Sequence, residues 1–152
     1  GDNIDTDVIT PGRFLFAPVE EAASHAFEAI HPHFSTQVKP GDIIVAGRHF
    51  GCGSARENAP DVLKFLGIAC ILAENFARTF FRNAIAVGLP VMTVGGLSRE
   101  VADGDELSVS VDTGKVTVKR TGRSFEGIPL HPSMRSIILS GGIDGVLSEL
   151  KK

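Results

Sequence analysis

Three short apolar runs, at residues 43–46, 68–73 and 90–94, constrain this chain of 152 residues more than any other feature. Each is too short for a buried helix and rich in Ile, Val, Leu and Ala, as expected of a strand covered on both faces. Helix-length segments separate them. Ala59, Val62, Leu63 and Leu66 share one helical face, and Gly67 stands where that helix must stop. Residues 76–87 read as a second helix, with Asn75 as its cap and Gly88 closing it. Strand–helix–strand–helix–strand predicts a parallel or mixed sheet with flanking helices, because parallel neighbours need crossover connections.

The flanks read differently. Residues 1–18 suggest turn and loop, with Asp2, Asp5 and Asp7 alternating around Ile4 and Thr6. Ala22, Ala26 and Ile30 recur at helical spacing and predict a helix over 18–30, which His31-Pro32-His33 ends. After Gly95-Gly96 the period becomes two. Residues 107–111 and 115–119 alternate around Asp112-Thr113-Gly114, a hairpin signal. Residues 132–150 look helical, interrupted at Gly141-Gly142. The expectation is one domain over 1–152, an α/β core with a β-rich appendage.

Composition narrows the function. The formal charge is −3 and no Lys/Arg cluster forms, so no nucleic-acid footprint is present. No apolar run is long enough to cross a bilayer, and no signal-peptide pattern opens the sequence. The first residue is Gly1, so a few native residues are expected before it. Two cysteines, Cys52 and Cys70, make neither a disulfide scaffold nor the ligand set of an iron–sulfur cluster. A reducing, cytoplasmic setting is expected, with no metal or cofactor on this chain.

The stretch Gly51-Cys52-Gly53-Ser54-Ala55-Arg56-Glu57-Asn58 carries the chemistry. It lies between a predicted strand and a predicted helix, where α/β ligand sites form. Backbone N–H groups at such a junction favour anions, and Arg56 adds a planar fork of donors matched to a carboxylate. A structural reading competes: Ser54 through Glu57 also spells a capping box. Pro60 would then fall inside the helix, which can instead begin near Asn58. Gly51-x-Gly53 lacks the third glycine of a dinucleotide fingerprint. Cys52 as a nucleophile lacks an identifiable partner histidine. His25, His31 and His33 sit at a Pro-broken helix end, a poor metal frame. Arg78 and Arg82 share a helix face that is either solvated or placed to meet anions.

Three segments in order resemble the small subunits of isopropylmalate dehydratases. They are Asn3-Ile4-Asp5-Thr6-Asp7-Val8-Ile9-Thr10-Pro11-Gly12-Arg13-Phe14-Leu15, then Gly51 through Pro60, then Asn75 through Ile85 with Gly88-Leu89-Pro90. The resemblance implies the swivelling β/β/α domain of the aconitase superfamily. It also implies a hydro-lyase that moves a hydroxyl between neighbouring carbons of a substituted malate, active only with a large subunit. That partner would carry a [4Fe–4S] cluster whose open iron binds the substrate hydroxyl and a carboxylate, which explains why two cysteines suffice here.

Carried over residue by residue, the resemblance makes Ser54 the catalytic base, Arg56 the clamp on a substrate carboxylate and Asp7 a support of the site's hydrogen bonds. The loop of residues 13–18 meets the variable substrate substituent, with Arg13 and Phe16 as its candidate contacts. Two positions depart from the pattern: Ala55 stands where a second serine is usual, and Asn58 where histidine is usual. Phe16 stands where homoaconitase-type loops carry an arginine. The implied reaction is the interconversion of 2- and 3-isopropylmalate in leucine biosynthesis. Alternatives are 2,3-dimethylmalate, homoaconitate, or a non-catalytic regulatory domain of the same fold.

Overall fold

The computed structural model describes residues 1–54 and 58–150. Its strands are β1 (Ile43–Ala46), β2 (Cys70–Ala73), β3 (Val91–Thr93), β4 (Leu107–Val109), β5 (Lys115–Val118) and β6 (Arg123–Glu126). Helices are α1 (Thr6–Ile9), α2 (Val19–Ala23), α3 (Phe34–Gln37), α4 (Asn58–Phe65), α5 (Arg78–Val87), α6 (Pro132–Leu139) and α7 (Ile143–Leu150).

The strands form two three-stranded sheets. One is parallel, in the order β1-β2-β3, and the other antiparallel, in the order β4-β5-β6. Alternation along β2 explains how they stack. Ile71 and Ala73 point to one face and join Ala46, Val62, Leu63, Ala84 and Val91 in a core beneath the helices. Cys70 and Leu72 point to the other face and meet Met92, Val94, Val116 and Val118. The parallel sheet is therefore covered on both sides, and the layers are β/β/α. This is the expected fold class, with the hairpin completed by β6, whose lone half-buried Phe125 gave no period-two signal.

Several expected elements changed in detail. The helix expected over 18–30 ends at Ala23. Phe27 takes φ 56° and its N–H donates to the Ile9 carbonyl, so the chain turns there. Ala22 and Ala26 still bury their side chains, but Ile30, the third residue of the helical spacing, is 58% exposed. Asn75 does not cap α5. Its Oδ1 accepts from the His49 N–H at 2.6 Å, and α5 starts at Arg78 with no side-chain cap. The leading segment is not loop throughout: Asp5 caps the short α1 by accepting from the Asp7 N–H at 2.7 Å. Gly88 closes α5 in the left-handed region, and Gly141 and Gly142 separate α6 from α7, as expected. A side chain on Gly142 would meet the Ala86 carbonyl oxygen at 2.7 Å.

Leu72 is fully buried between the two sheets. Leu72→Ala should lower unfolding free energy by about 2–5 kcal/mol, the usual cost of such a cavity. Urea denaturation followed by far-UV circular dichroism checks this.

Candidate active site

The chain leaves β1 and runs through residues 47–54 along the carboxyl edge of the parallel sheet, where α/β sites form. Two other segments hold it there. On one side lies the start of the chain. The Gly47 N–H donates to the Gly1 carbonyl at 2.9 Å, Asn3 N–H to Arg48 at 2.7 Å, Gly51 N–H to Ile4 at 2.7 Å, and Thr6 N–H to Cys52 at 2.8 Å. Asp5 and Cys52 form a parallel bridge. On the other side lies the loop after β2. The Phe50 N–H donates to the Asn75 carbonyl and the Ala77 N–H to the Phe50 carbonyl. Backbone polar groups that would otherwise be buried without partners are thereby paired.

Two glycines permit this packing. Gly51 has φ 80°, and a Cβ there would fall 2.2 Å from Cγ of the buried Phe80. Gly53 has φ 92°, and a Cβ there would fall 2.5 Å from an Asp5 carboxylate oxygen. Only glycine combines that backbone with that approach. Their product is the placement of Ser54. The hydroxyl of the buried Thr6 donates to the Ser54 carbonyl at 2.8 Å, while Ser54 itself stays exposed. The exposed Asp7 follows Thr6 directly in α1. Sequence reasoning did not single out Thr6. A threonine between two aspartates carries no local sign of a contact 48 residues away.

The loop of residues 13–18 divides by burial. Phe14 is 8% exposed and packs in the helix-side core, Leu15 is partly exposed, and Phe16 is 96% exposed. Arg13 is paired with Glu28 and lies over the Phe14 ring. Arg56 lies outside the described residues, as do Ala55 and Glu57, so the capping-box reading falls there as well. Residue 58 is already helical, and Pro60 sits near the start of α4 as described. Arg78 and Arg82 are exposed on the face of α5 opposite Phe80 and Ala84. A cavity of about 680 Å³ lies elsewhere, along the free edge of β1, and no residue of 1–30 or 46–54 lines it. Ser54, Asp7 and Phe16 are instead on open surface.

Residues 17–94 match the family of the aconitase C-terminal domain. Over 144 residues, 94% of this chain, the sequence is 48% identical to the isopropylmalate/citramalate isomerase small subunit of Methanocaldococcus jannaschii and covers 86% of it. Over the same share it is 47% identical to the methanogen homoaconitase small subunit of Methanothermobacter thermautotrophicus, covering 83% of that protein. It is 44% identical along its whole length to the 2,3-dimethylmalate dehydratase small subunit of Eubacterium barkeri, covering 94%. A crystal structure of 3-isopropylmalate dehydratase from Methanocaldococcus jannaschii superposes with a TM-score of 0.92 at 38% identity, covering 99% of this chain and 90% of that one. The β/β/α layers and the glycine loop at the sheet edge thus define a domain of the aconitase C-terminal class. Within that class, the chain belongs to the isopropylmalate dehydratase small-subunit family.

This chain's own residues do not fit an iron–sulfur cluster. Cys70 faces the inter-sheet core, and burial pushes its thiol up to about 12, which disfavours the thiolate a metal needs. Cys52 is the other cysteine, held in the glycine loop. His25 is engaged by Glu28, and among the described residues no three His, Cys, Asp or Glu side chains gather to hold a metal. The two thiols should therefore react differently. Iodoacetamide at pH 8 should label Cys52 of the folded chain and reach Cys70 only after unfolding. Peptide mass spectrometry before and after denaturation reads the outcome.

Proposed function

We propose that this chain is the small subunit of a hydro-lyase that interconverts 2- and 3-isopropylmalate in leucine biosynthesis, acting as one swivelling unit against a large subunit. The observation that carries the reading is Ser54 exposed at an open sheet edge, with its carbonyl fixed by Thr6 of α1, the short helix that also carries Asp7. An edge on open surface is half a site. It becomes dry only when another surface covers it, and a closed site is what proton abstraction from a weakly acidic carbon requires. The [4Fe–4S] cluster of the resemblance belongs on that other surface, since it does not fit here, and it would bind and polarise the leaving hydroxyl.

Ser54 is the proposed base. As an alkoxide it takes the proton alpha to a carboxylate during dehydration and returns it during rehydration. A serine hydroxyl is a very weak acid, so oriented N–H donors in the closed site must stabilise its anion. Arg56 follows two residues later and grips a substrate carboxylate by its planar fork. Asp7 supports this arrangement from α1. Phe16 presents an apolar surface to the variable substituent. That surface suits an isopropyl or methyl group and penalises a second carboxylate, whose charge would be buried without a partner.

Ser54→Ala in the reconstituted pair should cut turnover by at least about a hundredfold, the lower scale for losing an acid–base group. A cap alone would lower stability by about 1 kcal/mol and leave turnover near normal. Measuring melting temperature and turnover together separates the two roles. Arg56→Lys keeps the charge and loses the two-point grip, so KM should rise and kcat fall. Unchanged catalytic efficiency in steady-state assays would remove Arg56 from the site.

A further inference from the structure

The loop that presents Phe16 is fastened from the side by one carboxylate. Glu28 lies in the turns after α2, and both its oxygens are taken. Arg13 Nη2 donates to Oε1, and His25 Nδ1 bonds Oε2 at 2.7 Å. Both partners also lie against the Phe14 ring. The Arg13 guanidinium carbon is 4.5 Å from the ring centroid, and the His25 ring is stacked on it at 4.3 Å. Arg13, Phe14, His25 and Glu28 therefore close a circuit in which each side chain touches two others. The hydrogen bond from His25, and then that from Arg13, hold the Glu28 carboxyl below its usual range, so it is ionised at neutral pH.

The circuit does little for stability, because exposed ion pairs contribute little. Its effect is on direction and charge. Arg13 is the only cation of the segment 11–18, and Glu28 holds it back against the domain. Phe16, three residues on, is left fully outward.

We propose that Glu28 is a specificity-determining positioning residue: by engaging Arg13 it withholds the loop's cation from the substrate substituent and leaves Phe16 as the surface that meets it. This rests on the role of the loop given under the proposed function. Glu28→Gln keeps the size and removes the charge. Arg13 then becomes free to pair with a carboxylate on the substituent, a charge-assisted hydrogen bond.

The test compares catalytic efficiencies of the reconstituted pair for 3-isopropylmalate and for homoaconitate. In Glu28→Gln the preference for isopropylmalate should fall by at least about tenfold, the scale of one charge-assisted hydrogen bond. The double variant Glu28→Gln/Arg13→Gln should regain the wild-type preference, because no cation remains to be released. A merely structural role would change melting temperature and leave the ratio alone. An unchanged ratio in an active Glu28→Gln pair overturns the inference, as does a double variant that keeps the shifted ratio. The pairing itself is read in the lone chain by nuclear magnetic resonance of the Arg13 side chain. Guanidinium resonances that are the same in wild type and Glu28→Gln overturn the inference independently of turnover. A wild-type pair that turned over neither substrate would instead overturn the functional reading.

Discussion

Burial of β2 on both faces is the constraint from which the rest follows. All four of its side chains are buried, alternately beneath helices and against a second sheet. A strand in that position must be central, so β1 and β3 flank it in parallel register. Parallel pairing in turn sends every carboxyl end to one edge. The loops after β1 and β2 therefore meet at one place without any residue having to specify their meeting.

What happens at that edge is decided by backbone geometry more than by charge. The segment 47–54 lies between the start of the chain and the loop after β2, and its hydrogen bonds run to both. Gly51 and Gly53 allow the approach to Phe80 and Asp5 that any side chain would block. Thr6 finishes the arrangement by holding the Ser54 carbonyl. The preorganised part of the candidate site is thus a short peptide under several independent restraints, a geometry suited to holding a reactive group.

Ion pairs among the described residues include Arg120 with Asp105 and Arg123 with Glu100 on the antiparallel layer. The Asp105 carboxyl sits at about 2, chiefly through its hydrogen bond from Arg120. The Arg120 pair is two-pronged, with Nε donating to Oδ1 at 2.8 Å and Nη2 to Oδ2 at 3.0 Å. The circuit of Arg13, Phe14, His25 and Glu28 differs because it holds the loop that carries the outward Phe16.

The sequence by itself determined the strands and their class. The apolar runs, the helical face of Ala59 to Leu66, the stops at Gly67 and Gly88 and the hairpin at Asp112-Thr113-Gly114 are local signals, and local interactions produce them. The glycine loop and its neighbouring Ser54 were legible too, because spacing alone places them after a strand. The tertiary structure decided what depended on distant contacts. It ended the helix of 18–30 early, since the Phe27 N–H found the Ile9 carbonyl. It moved Asn75 from capping to holding His49. It also made Thr6 a support of Ser54 and Glu28 a partner of Arg13. None of these pairings leaves a mark in the sequence near either residue, because a hydrogen bond between segments far apart in the chain is fixed by where the sheet brings them.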